Sequence, residues 1–230
     1  MKPQHKKIYL IGPLLDQMDS IQIESADLVI FIDAAISYRD RVHFTCKSIS
    51  LGDGDGIPWD KGDFKKNDKE SYKGSYKETL DILAPTEKDE SDFKLALNHI
   101  ETQFPSLPSI EMTAIGLWGG RLDHQISIFG EFISFLNLQK NKCEQEIIVT
   151  FHNHNLEKVA YLTNRSQEDY SHHGLFSLFC LEKQKFNMTG QVKYPLNDQF
   201  LSPLSSHGLS NEAHGEFKIE SDQPYLILFP

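Results

Sequence analysis

The sequence predicts an α/β domain with an open, mostly parallel sheet over residues 1–140, followed by a small all-β sandwich or barrel over residues 145–230. Three observations predict this. Short apolar strand-like runs alternate with helical stripes through the first part. The second of those runs, Asp27 to Ile32, is continuously apolar, as in a strand buried on both faces. Beyond residue 140 the runs become short and β-rich, turn residues separate them, and no helical stripe interrupts them.

The elements follow in order. Ile8 to Ile11 reads as a first strand, and Asp27 to Ile32 as a second that ends at Asp33. Ser48 to Leu51 leads into Gly52-Asp53-Gly54-Asp55-Gly56, where three glycines in five residues exclude a regular element. Residues 57–80 are polar and read as an exposed loop or weak helix. After Pro85 to Asp92, the residues Phe93, Ala96, Leu97 and Ile100 recur at the spacing of an amphipathic helix, with Asp89 or Ser91 as its N-cap. Ala114 to Leu117 is a strand opening into Gly119-Gly120-Arg121-Leu122-Asp123-His124. Asp123 is placed to cap the next helix, whose stripe runs Ile126, Phe129, Ile133, Leu136. Leu138 to Gln145 reads as a polar linker. The later strands are expected at Glu146–Phe151, Val159–Thr163, Leu175–Leu181, Phe217–Ile219 and Tyr225–Phe229.

Composition narrows the function. With 23 Lys+Arg against 33 Asp+Glu the net charge is −10, which argues against a general nucleic-acid binder. ATP remains compatible, because metal ions supply positive charge locally. The three cysteines are widely spaced and form no C-x-x-C pair, so a reducing, cytoplasmic setting is expected. Lys2, Lys6 and Lys7 precede an apolar stretch, but Gly12-Pro13 breaks it and Asp16 follows, so it reads as a strand rather than a signal peptide. No run approaches the roughly 18 apolar residues of a membrane helix.

The chemistry-bearing feature is where the aspartates fall. Asp33 follows one strand, Asp53 and Asp55 follow another, Asp89 and Asp92 stand at a helix start, and Asp123 follows a further strand. In a parallel sheet the strand C-termini share one edge, where ligands bind, so these carboxylates converge on one cleft. Gathered carboxylates repel unless a cation sits among them, and Mg²⁺ takes oxygen ligands together with substrate phosphates. Lys88 and Arg121 lie in the same loops and can hold phosphate oxygens. His124 is either a phosphate contact or a first-turn residue. The pattern points to metal-assisted phosphoryl-type transfer without a P-loop. His152 and His154 read as a strand end rather than a metal pair, and His172-His173 as a loop. Tyr194 is either core or a stacking platform.

At these residues the sequence resembles the thiamine pyrophosphokinase family. Pro85-Thr86-Glu87-Lys88-Asp89-Glu90-Ser91-Asp92 is similar to the family's P-x-E-K-D-x-T-D, and Gly119 to His124 to its G-G-R-x-D-H. Thr189 to Leu196 and Ser210-Asn211-Glu212 are similar to its T-G-x-x-Y/W-x-L and S-N-E. The resemblance implies a C-terminal β-sandwich that binds thiamine and dimerises, a homodimer with active sites between subunits, and transfer of a pyrophosphoryl group from ATP to thiamine. It implies Asp53, Asp55 and Asp92 as the main Mg²⁺- and phosphate-organising carboxylates, supported by Asp33 and Asp89. It also implies that Arg121 and Asp123 meet the nucleotide, that Tyr194 stacks on thiamine, and that Ser210 and Asn211 line its pocket.

The sequence departs from the family pattern at Ala34-Ala35, where D-G-G would have glycines, at Gly56, where G-D-x-D-S has serine, and at Ile128, where an Asn is usual. Two alternatives to the kinase therefore stand beside it: a diverged nucleotide- or thiamine-binding relative, and a related transferase with another acceptor.

Overall fold

The computed structural model describes residues 5–15, 18, 20–54, 80–85, 90–105 and 107–230. Asp55, Gly56, Lys88 and Asp89, and nearly all of the polar stretch 57–80, lie outside the described residues.

The described strands are β1 (His5–Ile11), β2 (Ile21–Gln22), β3 (Leu28–Ile32), β4 (Val42–His43), β5 (Lys47–Gly52), β6 (Ile82–Leu83), β7 (Ser109–Ile115), β8 (Glu146–His152), β9 (Lys158–Thr163), β10 (Gln167–Cys180), β11 (Gln184–Val192), β12 (Leu196–Leu201), β13 (Asn211–Ser221) and β14 (Tyr225–Leu228). Two α-helices accompany them, α1 (Asp92–Gln103) and α2 (Leu122–Cys143), with 3-10 turns at Asp33–Arg41 and Ser206–Gly208. Twelve strands form one mixed sheet in the order β12-β11-β13-β10-β14-β9-β8-β7-β1-β3-β5-β6, and β2 pairs with β4.

From β8 through β7, β1, β3 and β5 to β6 every pairing is parallel. β3, in the middle of this set, is continuously apolar because it is covered on both faces. Leu28, Ile30 and Ile32 of β3 pack with the stripe of α1 and with Phe132 and Leu136 of α2. Val29 and Phe31 point the other way, onto Leu15, Met18, Ile21 and Tyr38. The α1 stripe is buried as its spacing predicts, and Ser91 is the N-cap, its hydroxyl accepting from the Lys94 backbone N–H at 3.1 Å. In α2, Ile133 and Leu136 are buried, but Ile126 is 61% exposed, and Gln125 beside it is the buried residue of that turn.

From β8 onward the pairings are antiparallel. β10 serves two neighbours. Gln167–Phe176 pairs with β13 and Ser177–Cys180 with β14. Phe176, Phe186, Met188, Phe217, Tyr225 and Ile227 form a second core between these strands. Two local expectations are corrected. The stretch from Leu138 is not a linker; it is the end of α2, which continues to Cys143 because Gln139 is buried, and stops at Glu144 in the left-handed region. His172 and His173 lie within β10 rather than in a loop, since alternation between Tyr170 and Phe176 carries the strand through them. Among the described residues no helix is long and apolar enough to cross a membrane.

Candidate active site

The parallel strands all end on one edge, and that edge carries the carboxylates. Asp33 follows β3, Asp53 follows β5, and Asp92 opens α1, which packs behind those strands. One carboxylate oxygen from each lies within 4.8 Å of the other two, with Asp53 buried and Asp33 and Asp92 half-buried. Glycine makes that approach possible. Gly52 has φ +151°, and a β-carbon on it would lie 2.9 Å from the Asp33 Cα. Asp33 itself sits at φ 50°, in the left-handed region that Asp tolerates better than most residues. The positive φ therefore falls on the aspartate. Ala34 and Ala35 are not among the positive-φ residues; they are buried in the 3-10 turn, which accommodates their β-carbons.

Sequence reading missed the brace that holds this edge. Asp81 accepts from the Ser50 backbone N–H at 2.7 Å and from its hydroxyl at 3.0 Å, and the Ala84 N–H donates to the Gly52 carbonyl at 2.9 Å. The chain leading towards α1 is thereby tied to the end of β5. The only signal in the sequence was an Asp just before a short apolar run.

The three aspartates line a cleft of about 620 Å³. Asp123 and His124 of α2 line it too, with Glu90, Ser127 and the apolar Ile128. Asp123 is not the cap of α2. That position belongs to Arg121, and Asp123 stands in the first turn, where negative charge is favoured. Arg121 donates through Nε to Asp123 at 3.1 Å, and this hydrogen bond holds the Asp123 carboxyl below its ordinary range. Arg121 is exposed and does not line the cleft. Gln125, also unrecognised in the sequence, is buried and accepts from the Gly119 N–H at 2.8 Å, fixing the glycine loop before the helix.

All three converging donors are hard carboxylate oxygens, the donor chemistry that suits Mg²⁺ or Mn²⁺ and not a thiophilic metal. Among the described residues they form the only cluster of His, Cys, Asp or Glu close enough to hold an ion. Among the described residues His152 and His154 belong to no such cluster.

The other expected site residues lie apart. Tyr194 is exposed and, with Asn211, Met188 and Leu196, lines a second pocket of about 320 Å³ that shares no residue with the acidic cleft. Asn211 is buried and spent on the backbone. Its carbonyl oxygen accepts from the Tyr194 and Glu212 N–H groups at 3.0 and 2.8 Å, and its amide donates to the Tyr194 carbonyl at 2.8 Å. Ser210, at φ 54°, lines neither pocket, and its N–H donates to the Ser177 hydroxyl. Within one chain, then, the structure brings together Asp33, Asp53, Asp92, Asp123 and His124, and holds Tyr194 and Asn211 elsewhere.

No protein-family model matches the sequence, and no curated protein matches it significantly. Solved structures do resemble it. A thiamin pyrophosphokinase family protein from Enterococcus faecalis matches over 97% of this chain and 99% of its own, with TM-score 0.64 and 20% identity. Thiamine pyrophosphokinase from Bacillus subtilis matches over 97% of both chains, with TM-score 0.61 and 20% identity. Thiamin pyrophosphokinase from Candida albicans matches over 97% of this chain and 88% of its own, with TM-score 0.63 and 14% identity. Across nearly its whole length the chain has the fold of the thiamine pyrophosphokinases.

Proposed function

We propose that the protein transfers a pyrophosphoryl group from ATP to the hydroxyl of thiamine, giving thiamine diphosphate and AMP, with Mg²⁺ held by the acidic cleft. The observation that carries this reading is the convergence of Asp33, Asp53 and Asp92 within 4.8 Å at the strand ends of a thiamine pyrophosphokinase fold.

Asp33, Asp53 and Asp92 would hold the ion, with Asp55 two residues after Asp53 in sequence. When bound, the ion offsets the charge of the triphosphate. Lys88, Asp89, Arg121, Asp123 and His124 would arrange the nucleotide. The thiamine oxygen forms a bond to the β-phosphorus while the bond from that phosphorus to the α–β bridging oxygen breaks. AMP leaves with that bridging oxygen, and the hydroxyl proton passes to a carboxylate of the cleft. A thiazolium cation is favoured both by an aromatic face and by nearby carboxylates. Tyr194, Ser210 and Asn211 would supply the thiamine pocket from a β-sandwich half, residues 145–230, against an α/β half, residues 1–140. Because the Tyr194 pocket and the acidic cleft share no lining residue in one chain, a homodimer that sets Tyr194 of one subunit against the cleft of the other completes the site.

The test is an incubation with ATP, Mg²⁺ and thiamine, with quantitation of the products. Equal amounts of thiamine diphosphate and AMP are expected. Nucleotide binding without product would favour the diverged binding relative, and product only with another alcohol would favour a different acceptor.

A further inference from the structure

The antiparallel part of the sheet holds two histidines that the acidic cleft does not use. His173 of β10 and His214 of β13 are direct partners in the antiparallel register. Both are exposed, and both stand on the outward face. In β13 the buried Ala213 and Gly215 alternate with His214, and in β10 the buried Phe176 faces the other way from His173. Directly opposed residues of an antiparallel pair carry their β-carbons about 4.5–5.5 Å apart on one face. The two imidazoles therefore project side by side.

Neither ring is spent on the fold. Among the described residues His173 and His214 have no hydrogen bond, ion pair or ring contact. The histidine next in the chain differs. His172 donates through Nε2 to the Leu175 carbonyl at 3.1 Å, and its ring lies 4.5 Å from that of Phe229. The flanking rungs divide in the same way. On one side Leu175 opposes Glu212, whose carboxylate pairs with Lys193 Nζ at 3.3 Å. On the other Ser171 opposes Glu216, which is exposed and makes no ion pair among the described residues. Glu216 shares the outward face with His214, two residues earlier, and lies diagonally across from His173.

Two imidazoles and a carboxylate are a different donor set from that of the cleft. Imidazole suits Zn²⁺, Cu²⁺ and Ni²⁺, whereas the carboxylates of Asp33, Asp53 and Asp92 suit Mg²⁺ and Mn²⁺. Zn²⁺ takes His nitrogen at about 2.0–2.1 Å in a tetrahedral set. In the acidic cleft three ligand atoms already lie together. On the strand face the rings are exposed, so rotation about their own side-chain bonds brings them onto a common ion.

We propose that His173 and His214 form a surface site for a borderline divalent transition-metal ion such as Zn²⁺, with Glu216 as the third protein ligand and water in the fourth position. The ion cross-links β10 to β13, two interior strands of the sheet, and so couples their pairing to metal. This site is independent of the proposed transfer reaction.

The test titrates Zn²⁺ into the full chain against a chromophoric chelator, in excess Mg²⁺ to compete for carboxylate sites. Saturable binding of one equivalent is expected. His173→Gln and His214→Gln, both at exposed positions, are each expected to weaken it about tenfold or more, at least the loss that follows removal of an outer-shell partner. Glu216→Gln should weaken it by a smaller factor, and His43→Gln, at the exposed histidine of β4, should leave it unchanged. Zn²⁺ should raise the melting temperature of the wild type and not that of the double histidine variant. A further reading needs no variant: Cu²⁺ added below one equivalent should show, by electron paramagnetic resonance, coupling to two imidazole nitrogens. Zn²⁺ binding that survives either histidine substitution, that Mg²⁺ displaces, or that is absent from the wild type would overturn the proposal.

Discussion

A β-carbon on Gly52 would lie 2.9 Å from the Cα of Asp33, so the last residue of β5 and the first residue after β3 are in contact through the absence of a side chain. That contact sets the separation of Asp33 and Asp53, and with it the geometry of the carboxylate cluster. Gly52→Ala is expected to strain the backbone by about 1–3 kcal/mol and to push the two loops apart. Mn²⁺ affinity should fall together with the melting temperature. Unchanged metal affinity in the folded variant would show that the cluster does not depend on this contact.

Asn211 makes a comparable bond set around Tyr194, accepting from two backbone N–H groups and donating to one carbonyl. Asn211→Ala strands these groups in a buried setting and is expected to cost about 1–3 kcal/mol in denaturant unfolding. In the kinase reading it should also raise the KM for thiamine more than the KM for ATP, because the Tyr194 turn loses its anchor. An equal rise in both would argue against that placement of thiamine.

Ser91 closes the first turn of α1 beside Asp92. Ser91→Ala removes the cap and is expected to destabilise the protein by about 1 kcal/mol. Ser91→Asp should restore most of the stability, since a carboxylate both caps and suits the helix N-terminus. Thermal melts of the two variants distinguish a cap from a residue needed only for packing.

Two histidines make stability depend on pH in the same direction. Burial, reinforced by Lys158, holds His152 below its ordinary pKa despite its bond to Leu156, and burial with Lys47 does the same to His99. The unfolded chain then binds more protons than the folded one as pH falls through 6.5, the ordinary value, so stability drops across that window and levels off below the folded pKa values. Unfolding free energies measured from pH 8 to 5 should show the drop, and His152→Gln should flatten it. An unchanged slope in that variant would assign the dependence to other groups.

Much of this was legible in the chain because it depended on local pattern. The continuous apolar run of β3 and the stripe Phe93, Ala96, Leu97, Ile100 both describe surfaces buried whatever lies further away. The aspartates at strand ends were legible because a parallel sheet fixes which ends share an edge. What was not legible was set by tertiary contact. His172 and His173 gave no strand signal because polar residues stand on both faces of β10 between Tyr170 and Phe176, which are themselves buried in the second core. The end of α2 looked like a linker because its last turns are polar, and burial of Gln139 is invisible in composition. Asp81 and Gln125 bond to the backbone of Ser50 and Gly119, and no spacing rule marks such partners. The separation of Tyr194 from Asp33, Asp53 and Asp92 within one chain could be seen only in three dimensions.

The central claim is that Asp33, Asp53 and Asp92 form one divalent-cation site. It is tested most directly by titrating Mn²⁺ into the wild type and into Asp33→Ala, Asp53→Ala and Asp92→Ala, with free Mn²⁺ read by electron paramagnetic resonance. A shared site predicts saturable binding in the wild type, competed by Mg²⁺, and a fall of about tenfold or more in affinity in each variant while the fold is retained. Folded variants that bind Mn²⁺ as tightly as the wild type would contradict it.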